Sequence, residues 1–183
     1  GWESVDGAVR AAGLSDTVAM IDYVNHPDRT YRDLIIEHLR PGDMHTHMYA
    51  QQHAQIDENR QVHDYVWEAR KRGVQFDVGH GGGSFDFDVA RAAMANGFAA
   101  DVISTDIHAH SIHHSVYSLP ETASKLLNLG AALDDVVRQS TTSAAAAIGR
   151  AQDSIRPTDN IKRQIMSVSL FWFSMVYFSG SSS

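Results

Sequence analysis

The chain has no cysteine, so disulfides and thiolate-ligated zinc or iron–sulfur sites are excluded. That absence does not fix a redox compartment. Basic charge is in short supply: 15 Lys and Arg stand against 22 Asp and Glu, for a formal net charge of −7. A basic footprint for nucleic acid is therefore missing. No long apolar run occurs either. The most apolar stretch, residues 165–178, has serines inside it and falls short of the ~20 residues a membrane helix needs. The opening "GWESVDGAVR" is polar and charged, unlike a secretory leader, and it lacks an initiator Met. These absences point away from nucleic acid and membrane. The compartment stays unknown, leaning to the cytoplasm.

What is present is ordinary globular composition with one excess. Apolar residues make up 43% and charged residues 20% of 183 residues, enough for one domain with a sizeable core. There are 11 histidines, and their placement matters more than their number.

Strand-like and helix-like segments alternate. "TVAMIDYV", "GDMHTHMY", "GVQFDVGH" and "ADVISTDIH" read as strands. "VDGAVRAAGL", "DRTYRDLIIEHL", "ENRQVHDYVWEARKRG" and "SFDFDVARAAMANG" read as helices, the last opened by Ser84 as N-cap. "LPETASKLLNLG", with Pro120 at its start, and the helical pair in "LDDVVRQSTTSAAAAIG" complete the series. This alternation predicts an α/β fold with a parallel sheet. Each apolar run ends in a potential ligand: Asp22, His47, His80 and Asp106. Their spacing is close to one βα unit of about 30 residues, and the carboxyl ends of parallel strands are where barrels and open α/β sheets place their chemistry.

"DMHTH" poses a specific question. In a regular strand His45 and His47 would point to one face and form a bidentate metal clamp. His47 at a strand end is a good zinc ligand, and Asp106 beside a metal can ligate it and accept a proton from water. Asp22 is either a ligand or a hydrogen-bond partner of its loop. In "DVGHGGGSF" the glycines allow a tight turn and close backbone approach. No Gly-Lys-Ser/Thr makes it a P-loop, and no Gly-x-Ser-x-Gly accompanies it. His80 there is a ligand, a substrate contact or a turn residue. His108 follows Asp106 closely, and His110, His113 and His114 fall in a loop.

The strings "RPGDMHTHMY", "ARKRGVQFDVGHGGGSF", "ISTDIH", "SKLLNLG" and "TTSAAAAIG", in this order, closely resemble the amidohydrolase/deacetylase metallohydrolases, some of them dihydroorotase-like, of the amidohydrolase superfamily. The resemblance covers roughly residues 2–150. It implies part of a TIM (β/α)8 barrel, strands 5 to 8 with their helices. It also implies a zinc centre of one or two ions, and hydrolysis of a small-molecule amide or ester. By the same resemblance His47 matches the sixth-strand metal histidine and Asp106 the eighth-strand aspartate that binds metal and shuttles the proton. Asp22 stands where a fifth-strand histidine is usual, and His80 lies near substrate, with His108 a further candidate contact. From His47 to Asp106 there is room for about two βα units, against about seven between the first and eighth strands of a barrel. "DMHTH" is therefore not the first-strand clamp, and His45 supports His47 or lies beside the pocket.

The resemblance further implies that strands 1 to 4 and their ligands lie outside this sequence, so the chain is expected to be a fragment of a longer hydrolase. The competing expectation is an inactive remnant or interaction module with weak or no metal binding. A self-contained flavodoxin-like domain is a third reading, weakened because no phosphate-cradling loop follows the first strand. Residues 1–150 read as the barrel portion and 151–183 as a divergent apolar tail, aggregation-prone or not native. A part-barrel leaves open sheet edges through which copies would associate.

Overall fold

In a computed structural model, described for residues 1–24, 26–53 and 55–151, the chain alternates helices and short strands as α1 (Glu3–Leu14), β1 (Met20–Ile21), α2 (Tyr31–Asp33), β2 (Met44–His45), α3 (Asp64–Arg72), β3 (Gln75–Phe76), α4 (Phe87–Ala95), α5 (Leu119–Asn128), α6 (Leu133–Gln139) and α7 (Thr142–Ala147). A π-helical turn, Leu34–His38, continues α2. The tail expected over 151–183 lies outside the described residues, apart from Ala151.

The sheet is parallel, in the order β1-β2-β3, with Ile21 opposite His45 and His45 opposite Phe76. Residues 102–105 run alongside the end of β3. A parallel bridge pairs Asp77 with Val102, and the amides of Val78 and His80 donate to the carbonyls of Val102 and Ser104. The predicted α/β class with a parallel sheet holds. The strands are shorter than the apolar runs suggested, because the chain leaves extended geometry at Gly42, His47, Gly73 and Gly79, all at positive φ.

Helix ends follow local chemistry. The Asp86 carboxylate accepts from the amides of Asp88 and Val89, so it caps α4; the expected cap, Ser84, lies in the preceding turn. Ser118 caps α5 by accepting from Glu121 N, with proline in the first turn. The α3 helix starts later than its sequence pattern suggested. The Asp57 side chain instead accepts from the amides of Asn59 and Gln61 and holds that segment in a turn. Gly73, at φ 100°, ends α3 in the left-handed conformation. Its neighbour Arg72 donates to the carbonyls of Ile36 and Leu39, at the end of the π-helical turn.

Alternation along the strands sorts the two faces. Ile21, Phe76, Val78 and Ile103 join Leu34, Ile35, Val66, Ala69 and Phe98 in the main core under the helices. Met44 and Val102 face the other side, where Ala147 of α7 covers them. Arg70 binds α3 to the sheet: its guanidinium lies 3.7 Å from the Phe98 ring centroid and 3.2 Å from Asp101 Oδ2. That same Asp101 oxygen accepts from Phe76 N.

Asp43 anchors the entry to β2. Its side chain is 1% exposed; it accepts from Ala19 N at 2.8 Å and from Arg40 through N, Nε and Nη2. Burial pushes this carboxyl up, but the Arg40 guanidinium and the donated amides outweigh it and hold it below the usual 3.8. Asp43→Ala is expected to lower stability by about 3 kcal/mol, because it strips a buried set of charge-assisted bonds. Urea denaturation measures this, and a loss below about 1 kcal/mol would contradict it. The Asp43 contribution should be complete above pH 3.8 and fade as pH falls through the lowered folded-state value.

Candidate active site at the strand ends

Four loops meet where the parallel strands end. Asp22 follows β1, His47 lies just past β2, residues 79–83 follow β3, and Asp106 closes the run 102–105. His47 is central. Its Nδ1 faces the Gly79 carbonyl across a short hydrogen bond, so the ring donates there, and in the neutral ring Nε2 carries the lone pair. Nε2 stands 3.9 Å from Asp22 Oδ2 and 4.0 Å from Asp106 Oδ2. A lone pair aimed between two carboxylates is unfavourable unless a proton or cation lies among them.

Two of the four described non-glycine residues at positive φ lie in this cluster. His47 and Asp106 adopt φ of 62° and 46°, a region uncommon for residues other than glycine. The positive φ at His47 ends strand alternation, so His45 and His47 do not share a face as a regular strand would require. His45 is fully buried instead. Its Nδ1 faces Ile21 O at 3.3 Å and its Nε2 faces His53 Nδ1 at 3.3 Å. His53 in turn reaches the His47 and Tyr23 carbonyls and stacks on Tyr31. Burial drives the His45 pKa well below its usual value and lowers that of His53.

The glycine loop has to be glycine where it touches this cluster. A Cβ on Gly79 would fall on Thr46 Oγ1 and lie 2.7 Å from His47 Nδ1; on Gly81 it would lie 2.6 Å from Asp106 Oδ2. On Gly83 it would meet nothing. Beneath the loop, Asp77 is fully buried and its Oδ2 accepts from Thr46 Oγ1 and Ser104 Oγ, each at 2.7 Å. Burial raises the Asp77 pKa.

His80 turns away from His47. Its Nδ1 faces the Gly81 carbonyl at 3.0 Å, its Nε2 lies 2.9 Å from Lys125 Nζ, and its ring stacks on Phe85. It lines a cavity of about 220 Å³ with Gly82, Phe87, Tyr117 and Lys125. His108 is exposed, with its Nδ1 accepting from His110 N, and its Nε2 would lie 3.9 Å from a Cβ on Gly82. His110, His113 and His114 are exposed as well. The structure thus gathers Asp22, His47 and Asp106 and sets His80 and His108 around them. Sequence reasoning passed over Glu121 and Lys125, whose i,i+4 spacing is that of an ordinary surface pair. It also passed over Asp77, although a carboxylate inside the apolar run "QFDV" was a readable signal.

A metal fits the chemistry of this donor set better than its spacing. Ligands about 2.1 Å from a tetrahedral zinc stand about 3.4 Å apart. The separations here are wider, and no metal-holding group of three His, Asp or Glu occurs among the described residues. The donors themselves suit zinc: an imidazole whose other nitrogen is fixed on a carbonyl, and two carboxylates. Gly79→Ala is expected to cost about 2 kcal/mol or more and to shift the His47 ring signals, whereas Gly83→Ala should stay within about 0.5 kcal/mol. Urea denaturation and histidine NMR read both, and equal effects would contradict the close-approach argument.

The chain has clear relatives. It is 37% identical over 132 residues to a deacetylase of Agrobacterium fabrum and 36% identical over 132 residues to a deacetylase of Brucella anthropi. These matches take in 72% of this chain but only 32% and 33% of the relatives, so the chain spans about a third of their length. A deacetylase of Enterococcus faecalis is 34% identical over 116 residues, 62% of this chain and 31% of that protein. Among solved structures, an adenine deaminase superposes with a TM-score of 0.74 at 26% identity, over 83% of this chain and 42% of that one. A dihydroorotase superposes with a TM-score of 0.70 at 33% identity, over 82% and 39%. No protein-family model matches the chain. By its relatives and its fold, the chain belongs with the deacetylases in the amidohydrolase superfamily, matching about a third of their length.

Proposed function

We propose that this chain carries part of the centre of a metal-dependent hydrolase that cleaves a small amide or ester, an acetyl group being the favoured acyl part. The observation that carries the reading is the convergence of Asp22 and Asp106 on the free Nε2 of His47. The relatives named deacetylase support the reaction class. In this reading β1, β2, β3 and the run 102–105 are the fifth to eighth strands of a barrel, as their consecutive parallel order suggests.

His47, Asp106 and Asp22 would hold zinc. Zinc held there would make water nucleophilic near neutral pH and polarise the substrate carbonyl. His47 contributes a fixed tautomer, because its Nδ1–H donates to Gly79 O and leaves Nε2 for ligation. The Asp106 side chain is 46% exposed, so its carboxylate can accept a proton from an attacking water and pass it to the leaving nitrogen or oxygen. His80 shapes the cavity wall beside the loop, and His108, whose Nε2 approaches Gly82 of that wall, is a candidate substrate contact.

Zinc titration of the chain tests this. His47→Ala and Asp106→Ala should each weaken binding at least tenfold, while His110→Ala should not. Equal affinity in all three would contradict the reading. It would favour a second one, a module with weak or no metal binding, for which the wide donor separations speak.

The outer edge of β1, where Met20 is 53% exposed, has no strand partner among the described residues, and copies would associate through it. Sedimentation velocity should show concentration-dependent dimers, and a monomer at every concentration would contradict that.

A further inference from the structure

The glycine loop that shapes the site is itself held from α5. Glu121 and Lys125 lie one turn apart on that helix, and their side chains are 5% and 4% exposed. Their ion pair, Nζ to Oε1, is 2.7 Å long. A buried ion pair is poor evidence of stability, since desolvation offsets most of the attraction. Its position is more informative. Lys125 Nζ also donates to Ser115 O at 2.7 Å and to His80 Nε2 at 2.9 Å.

An ammonium has only protons to offer, so it requires a lone pair on His80 Nε2. The His80 proton must then sit on Nδ1, where it donates to Gly81 O at 3.0 Å. The opposite tautomer would set an Nε2 proton against the ammonium and an Nδ1 lone pair against the carbonyl. Gly81 is held from its other side by its own amide, which donates to Thr105 O, and its α-carbon is packed against Asp106. Two residues earlier, Gly79 O fixes the proton of His47.

We propose that Glu121, Lys125 and His80 form a buried positioning relay: Lys125 sets the tautomer of His80, His80 fixes Gly81, and the loop so held sets the approach of His47 and Asp106. His80 is then a positioning residue rather than a catalytic one, since both its nitrogens are engaged within the protein. Burial lowers the pKa values of His80 and Lys125, and Lys125 adds to the shift on His80. The consequence for metal rests on the hydrolase reading; the consequence for the His80 proton does not.

The test uses the full 15N-labelled chain and long-range proton–nitrogen spectra of its imidazoles, with zinc titration beside them. Lys125→Met removes the donor but leaves Glu121 buried without its partner. The double variant Glu121→Gln with Lys125→Met removes both charges and keeps similar volumes, so it guards against a simple folding failure. In the parent chain His80 and His47 should both carry their proton on Nδ1. In the double variant His80 should become a tautomer mixture, and zinc affinity should fall 10–100-fold, as for loss of a partner behind a metal ligand. Lys125→Arg, which keeps a cationic donor, should recover the His80 tautomer.

Unchanged tautomers in a folded double variant would overturn the relay. So would a His80 tautomer switch that leaves zinc affinity at the parent value. A parent chain that takes up no zinc but shows the His80 switch would contradict the metal reading and support the tautomer step of the relay.

Discussion

The hydrogen bond that His47 Nδ1–H donates to the Gly79 carbonyl is the contact on which the rest of the site depends. It fixes which nitrogen of His47 is free. It can form only because residue 79 has no side chain and takes φ 46°, a conformation that lets the loop after β3 fold over the loop after β2. His47 meets it by leaving strand geometry at φ 62°. The strain at these positions is of the order of 1–3 kcal/mol each. It is sustained by a parallel ladder whose bonds continue past the short strands, from Thr46 N to Ile21 O and from Asp77 N to His45 O.

Two buried acidic groups brace this arrangement from different sides. Asp43 pins the start of β2 to Arg40 and to the chain before β1. Asp77 ties the hydroxyls of Thr46 and Ser104 together directly under the loop. The two differ in charge environment. The Arg40 guanidinium holds Asp43 down, whereas burial pushes Asp77 up despite the hydroxyls of Ser104 and Thr46, and no bonded guanidinium offsets it. The fold below the site is thus built from polar groups that are mostly satisfied within the protein. The carboxylates above it, on Asp22 and Asp106, are left about half exposed.

Much of the fold was legible because its signals are local. Hydrophobic runs alternating with amphipathic segments gave the α/β class and the parallel sheet, and the polar residues ending each run lie on the loops that meet at the strand ends. Other features were not local. The chain's departure from strand geometry at His47 depends on Gly79, far along the sequence, so alternation alone wrongly set His45 and His47 on one face. Ser84 looked like a helix cap, but Asp86 stands where the amides of Asp88 and Val89 point. The burial of Glu121 and Lys125 depends on what covers α5, which no spacing reveals. The resemblance to the deacetylases supplied what periodicity could not, namely which of the many histidines to weigh first.

The central claim is that Asp22, His47 and Asp106 close around one cation. Crystals of the chain grown with zinc and recorded at the zinc absorption edge would test it most directly through the anomalous map. The account predicts a single strong peak within ligand distance of His47 Nε2 and the Asp106 carboxylate, with His47 Nδ1 still within hydrogen-bond distance of Gly79 O. Density only beside His108, His110, His113 or His114, with none at His47, would contradict it.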